Sequence, residues 1–221
     1  VVVDADRPWR AVFVQPADLN GDGWADVATG GYWYANPGDS GGAWTRQAFG
    51  DPLNNLAILH DFDGDGDLDA LGTTGKVESA VLVWAANDGS GAFTVYDNVP
   101  EARGDFLQGV AIVPLADNVT GVALSWHNGG SGVQMLRVPA DPTAEPWDWA
   151  TISDDSQYEA LSLGDIDGDG DPDLLLGTRW LRNEGDGWTA FTLFEPEGEP
   201  DRNRLADLNG DGQLDAVVGY E

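Results

Sequence analysis

Four copies of one nine-residue pattern constrain this chain more than anything else in it. Asp18 to Asp26 reads DLNGDGWAD, Asp61 to Asp69 reads DFDGDGDLD, Asp165 to Asp173 reads DIDGDGDPD, and Asp207 to Asp215 reads DLNGDGQLD. Oxygen-bearing side chains recur at positions 1, 3, 5 and 9, with Gly at 4 and 6 where the backbone must turn without a side chain. Carboxylates at this spacing repel one another unless a cation sits among them. Calcium suits the pattern, because it accepts roughly six to eight oxygens in a flexible shell, whereas magnesium demands near-octahedral geometry and keeps its water.

In the second copy, Asp61, Asp63, Asp65 and Asp69 offer carboxylates, the main-chain carbonyl of Asp67 can fill position 7, and water completes the shell. Asp and Gly also make ordinary turns, but four copies in one register argue against coincidence. An EF-hand needs a Glu at position 12 between helices. Position 12 here is Thr29, Gly72, Leu176 or Val218, and the flanks are apolar and strand-like.

The net charge of -29 would suit a disordered acidic tail, but 42% hydrophobic residues and ten Trp indicate a packed protein. Sixteen of the 39 acidic residues lie inside the four loops, so much of the charge is metal-ligand charge. The remainder disfavours nucleic acid and anionic membranes as partners. There is no Cys, which removes disulfides and thiol chemistry, and no apolar run long enough to span a membrane. The opening VVVDADRPW is not a signal peptide. With calcium loops that suit a calcium-rich medium, the expectation is a mature secreted or cell-surface protein.

The loops are spaced as a repeat: 43 residues from Asp18 to Asp61, 104 from Asp61 to Asp165, and 42 from Asp165 to Asp207. The long gap holds one further unit, Val110 to Asn128, in which Asp117 marks the first ligand position but the loop has shortened to DNVTG. This unit keeps its strands and has lost its ion. In each unit an apolar strand enters the loop and a second leaves it. A third carries an aromatic and then Asn (Trp33 with Asn36, Trp84 with Asn87, Trp126 with Asn128, Trp180 with Asn183), and a Gly-rich turn leads to a fourth. The unbroken run Leu174 to Leu176 predicts a strand buried on both faces. Four short antiparallel strands in about 40 to 45 residues, repeated, predict an all-β propeller blade.

Loops of the form DxDxDGxxD between apolar strands, followed by a Trp-x-x-Asn strand, closely resemble FG-GAP/VCBS repeats, the unit of integrin α-subunit propellers and of many secreted bacterial proteins. The resemblance implies about four calcium ions. Their side-chain ligands would be Asp18, Asn20, Asp22 and Asp26; Asp61, Asp63, Asp65 and Asp69; Asp165, Asp167, Asp169 and Asp173; and Asp207, Asn209, Asp211 and Asp215. Trp24, Asp67, Asp171 and Gln213 would supply main-chain carbonyls. The expected architecture is one propeller domain over 1–221, of about five four-stranded blades. The repeats run approximately 11–52, 53–106, 107–157, 158–201 and 202–221, with 1–10 completing the last blade unless another chain or a longer propeller does so.

These ions have saturated ligand sets and are structural, since a catalytic metal keeps an open position. Function must then come from the surfaces between blades. The favoured expectation is a non-enzymatic recognition or adhesion module for an extracellular glycan or protein, similar to propeller lectins. Trp33, Trp84, Trp126 and Trp180 with their Asn partners, and Trp147 and Trp149 outside the repeat, are the candidate contacts. Core packing is the competing role for these indoles. A polysaccharide lyase is the enzymatic alternative, with His127 the candidate base and no catalytic constellation otherwise visible. A purely structural domain completed by another chain is a further alternative. The tripeptide Arg103-Gly104-Asp105 resembles an integrin-recognition sequence, a short and therefore weak match.

Overall fold

The computed structural model describes residues 3–4, 12–74, 80–154, 156–157, 159–195 and 197–221; the side chain of Asp117 also lies outside what is described. The described residues form eighteen β-strands and two short 3-10 turns. Strands pair only with their sequence neighbours, always antiparallel. Four sheets have four strands each: β1 to β4 (Val14–Ala17, Asp26–Thr29, Tyr32–Ala35, Thr45–Ala48), β5 to β8 (Asn55–His60, Asp69–Thr73, Leu82–Asn87, Phe93–Tyr96), β9 to β12 (Leu107–Pro114, Thr120–Trp126, Val133–Arg137, Asp148–Ser153) and β13 to β16 (Ser162–Gly164, Asp173–Leu175, Arg179–Asn183, Trp188–Thr192). The fifth is a hairpin, β17 and β18 (Pro200–Ala206, Asp215–Tyr220).

Propeller-like blades are thus present, but the last repeat has two strands among the described residues where four were expected. The sequence stops at Glu221, where a third strand of that unit would begin. The proposed contribution of residues 1–10 falls almost wholly outside the described residues; Val3 and Asp4, the two described, belong to no strand. The boundary drawn between 201 and 202 lies within β17.

Each nine-residue pattern is the connection between the first and second strands of its sheet. The registers match: Ala17 faces Asp26, His60 faces Asp69, Gly164 faces Asp173 and Ala206 faces Asp215. In the third sheet the corresponding connection is a 3-10 turn at Ala116–Asn118.

The chain divides into two compact units. The first holds residues 1–101 with 140–147, and the second holds 102–139 with 148–221. In the first, Leu19, Ala28, Trp33 and Phe49 pack with Leu56, Ala70, Val83 and Ala85 from the next sheet. In the second, Val113, Ala123 and Met135 pack with Leu174, Leu176 and Leu181. Leu174, Leu175 and Leu176 are all buried, as a strand covered on both faces requires.

The segment 140–147 belongs to the first unit. The Asn98 amide donates to the carbonyls of Pro142 and Glu145, and the buried Trp147 ring lies 5.3 Å from Phe62 and 5.9 Å from Trp84. In the second unit the Arg103-Gly104-Asp105 tripeptide is built into the structure. Gln134 Oε1 accepts from the Arg103 amide, the Arg103 guanidinium lies 5.7 Å over the Trp149 ring, and Asp105 Oδ1 accepts from the Asn128 amide. A Cβ on Gly104 would sit 1.9 Å from Cδ2 of the buried Trp126. Gly104→Ala should therefore lower stability by about 1–3 kcal/mol, as overpacking does, in a denaturant melt; an unchanged midpoint would show that the indole yields freely.

Candidate functional site

The four loops share one internal scaffold. Position 1 uses both carboxylate oxygens to gather the turn: Asp61 accepts from Gly64 and Gly66, Asp165 from Gly168 and Gly170, Asp207 from Gly210 and Gly212, and Asp18 from Asp22 and Gly23. Position 5 accepts from the amide of position 7 at 2.9 Å in every loop, through Asp22, Asp65, Asp169 and Asp211. The position 6 glycines, Gly23, Gly66, Gly170 and Gly212, have φ between 86° and 100°, which bars most side chains.

Position 9 joins the loop to the sheet. Asp69 accepts from the Phe62 amide at 2.8 Å with one oxygen and from the Asn87 amide at 2.9 Å with the other. Asp26 does the same with Leu19 and Asn36, and Asp173 with Ile166 and Asn183. In the final hairpin Asp215 accepts from Leu208. Asp26, Asp69 and Asp173 are buried, and desolvation raises the pKa of each, that of Asp69 to about 6. A nearby cation acts in the opposite direction by favouring the ionised form.

Oxygens of Asp61, Asp63 and Asp69 lie within 4.8 Å of one another, as do those of Asp165, Asp167 and Asp173. Ligands at about 2.3–2.6 Å from a common calcium fall within that separation, so both donor sets fit the ion. Asp65 and Asp169 stand outside these tight groups. In the first and last loops Asn20 and Asn209 supply the position 3 oxygen, and each also donates to the carboxylate two residues on, Asp22 or Asp211. The ion would screen carboxylate repulsion and hold the turn; the chain's own contribution is the ladder of amides that orients each carboxylate beforehand.

The Asn residues of the third strands serve this scaffold. Besides the backbone bonds to position 9, the amides of Asn36, Asn87 and Asn183 donate to the carbonyls of Ala25, Leu68 and Pro172, and their oxygens accept from Gly38, Gly89 and Gly185. Trp33, Trp84, Trp126, Trp147 and Trp180 are buried, so their rings are committed to packing. Trp149 is half-buried beneath Arg103.

Two clefts lie in the second unit. One, of about 750 Å³, has apolar walls from Leu115, Met135 and Ile152, with Trp188, Arg137 and Asn183 adding an indole, a cation and an amide. Asp171 and Pro172 of the third loop also line it. Trp188 opens the fourth strand of its repeat, at the register position of Phe93, and Arg137 sits in no repeated motif position. The other cleft, of about 420 Å³, contains His127, Asn128, Asp105 and Glu159. His127 Nδ1 is 2.7 Å from Glu159 Oε1, and Arg202 donates to Glu159 Oε2 at 3.1 Å. That contact with Glu159, followed by the charges of Glu159, Asp105 and Glu221, raises the His127 pKa against a smaller effect of desolvation.

Removing calcium should lower the melting temperature steeply, and an unchanged melt under chelation would remove the structural-calcium assignment. The two ligand positions should also separate. Asp173→Ala leaves the Ile166 and Asn183 amides unpaired and should cost about 1–3 kcal/mol even in chelator, whereas Asp167→Ala should act chiefly when calcium is present; equal losses in both conditions would contradict this division. For His127, Glu159→Gln should bring the imidazole pKa, followed by NMR, down toward its ordinary value. Because the folded value is the raised one, the pair's small contribution to stability is full below about pH 6.5 and fades as pH rises through the folded value. An unmoved titration would exclude Glu159 as the cause.

Residues 158–188 match the FG-GAP repeat family model. No curated protein matches the chain by sequence. Among solved structures, the chain is similar to a rhamnogalacturonan lyase (PL11) of Bacillus licheniformis, with a TM-score of 0.55 and 14% identity over 96% of this chain and 47% of that one. The chain thus spans about half the length of that structure, and at this identity the likeness is one of fold. An FG-GAP repeat, centred on the third of the four acidic loops, is part of an all-β chain of propeller-like blades.

Proposed function

We propose that this chain is a calcium-stabilised propeller segment that binds an extracellular polysaccharide without transforming it. The carrying observation is the 750 Å³ cleft beside the third acidic loop, where a half-buried indole, an amide and a guanidinium converge over an apolar floor. Sugar rings stack their C–H faces on aromatic surfaces and satisfy their hydroxyls on amides and carboxylates, and pockets of this size hold small ligands. The lyase likeness supports a polysaccharide as the class of partner, and the FG-GAP match supports calcium and an extracellular setting. Exposed Leu208, Val217 and Tyr220 on the final hairpin support completion of that blade by a further segment or chain.

A lyase reading is favoured by one arrangement, the contact of His127 with Glu159 in the smaller cleft, since β-elimination from a uronate needs a base for the proton beside the carboxylate. A glycan array probed in calcium should show retained polysaccharides that are lost on chelation; a blank array would refute the binding proposal. An absorbance rise at about 235 nm on incubation with an acidic polysaccharide, abolished by His127→Ala, would replace it with the lyase.

A further inference from the structure

The larger cleft exists because one repeat lost its ion loop. In the first unit, the turn between the third and fourth strands of the second sheet, Asn87 to Gly91, is covered by the preceding sheet's acidic loop and indole. Asn87 donates to the Leu19 carbonyl at 2.9 Å. A Cβ on Gly91 would meet Trp33 Cζ2 at 2.5 Å and Asn20 Cβ at 3.5 Å. The corresponding turn in the second unit is Asn183 to Gly187. Its preceding sheet offers only the short Ala116–Asn118 turn instead of an acidic loop. Met135, opposite Ala123, takes the register position that Trp33 takes opposite Ala28. A Cβ on Gly187 would meet no atom within 4 Å. Two changes in one repeat have uncovered the cleft, and Trp188, paired with Asn183 as Phe93 is with Asn87, packs on the core and presents its half-buried ring to it.

The geometry points to this cleft as a subsite for an acidic sugar residue, a uronate in an oligosaccharide, with its carboxylate on Arg137 and its ring against Trp188. The assignment rests on the polysaccharide reading above and adds the class of sugar and the place. Arg137 is exposed at the end of β11, opposite Asp148, and its guanidinium forms no hydrogen bond or ion pair with the described residues. In a chain with ten Lys and Arg against 39 acidic residues, a guanidinium without an ion pair among the described residues, in a cleft that also holds an indole, is a selective feature. Guanidinium and carboxylate form paired, charge-assisted bonds, and a neutral sugar cannot use them. Asn183, Thr151 and Asp186, also in the lining, provide acceptors and donors for ring hydroxyls. Asp171 and Pro172, positions 7 and 8 of the third acidic loop, form part of the wall, so filling that loop fixes the shape of the subsite.

The test is calorimetric titration of the calcium-loaded chain with trigalacturonate and, separately, with neutral galactotriose. Trigalacturonate should bind the more tightly, Arg137→Gln should weaken it by about tenfold or more, and the same change should leave the neutral sugar's affinity unaltered. Gly187→Phe fills open space on a backbone not in the left-handed region, so it should keep the melting temperature and abolish binding of both sugars. Equal affinity for the two sugars, unaffected by Arg137→Gln, would overturn the acidic-sugar assignment while leaving polysaccharide binding intact. Binding that survives Gly187→Phe would place the site elsewhere. If neither sugar binds while a glycan array remains positive, the uronate assignment falls alone; if the array is also blank, the polysaccharide reading falls with it.

Discussion

Three of the four four-stranded sheets depend on one carboxylate with two backbone amides. The aspartate at position 9 is the first residue of the second strand; it reaches back to the amide of position 2 and across to the amide at the end of the third strand. Those amides lie near the ends of the strand ladder, where unpaired buried donors would cost free energy. Burying the carboxylate to serve them raises its proton affinity, most for Asp69. The loop concentrates further carboxylates around it. A cation resolves the conflict between these two requirements, because it compensates the desolvated charge and the mutual repulsion together. Ion and hairpin would therefore be coupled: the amides orient the carboxylates, and a bound cation would let the buried aspartate remain ionised.

The third sheet shows what happens without that arrangement. Its first connection carries no position 9 aspartate, and the turn is closed by backbone bonds instead, with Leu115 donating to Val119 and Val119 to Ala116. Its strands are among the longest in the chain, β9 with eight residues and β10 with seven, and β10 is buried from Gly121 to Trp126. Longer ladders and a buried second strand supply locally what a bound ion would supply in its neighbours. A repeat array tolerates such exchange because each unit contacts only adjacent units.

The acidic loops and their strands were legible because the signal is local: ligand spacing, Gly at 4 and 6, and apolar flanks each follow from one stretch of chain. Asn36, Asn87 and Asn183 follow the third strands as their pattern indicates and serve the scaffold instead of a ligand, whereas Trp126 ends the second strand of its sheet and Asn128 follows it, not a third strand as the pattern suggests. Asn87 repeats because its backbone and side chain bond Asp69, Leu68 and Gly89, contacts that depend on a strand pairing no short window reveals. Trp147 lies outside the repeat, which makes it a candidate contact on sequence alone. It is buried because that segment packs on Asn98 and Phe62, more than 40 residues earlier in the chain. The strand count of the last unit depended on residues at both ends of the sequence, and pattern alone does not pair them.

Arg137 is not legible in the sequence for a different physical reason. A motif search finds what repeats, and a ligand site on a repeat scaffold arises where the repeat fails. Repeated positions are constrained by packing against the next unit, so their side chains are consumed by structure, as Trp33, Trp84 and Trp180 are. A residue is released for recognition only where its counterpart's packing partner has been removed. Gly91 is pressed against Trp33, while in the corresponding turn of the second unit, one residue shorter, a Cβ on Gly187 would face open space. Comparing units within one chain therefore locates the cleft without any other sequence, through the difference between a filled and an unfilled version of the same junction.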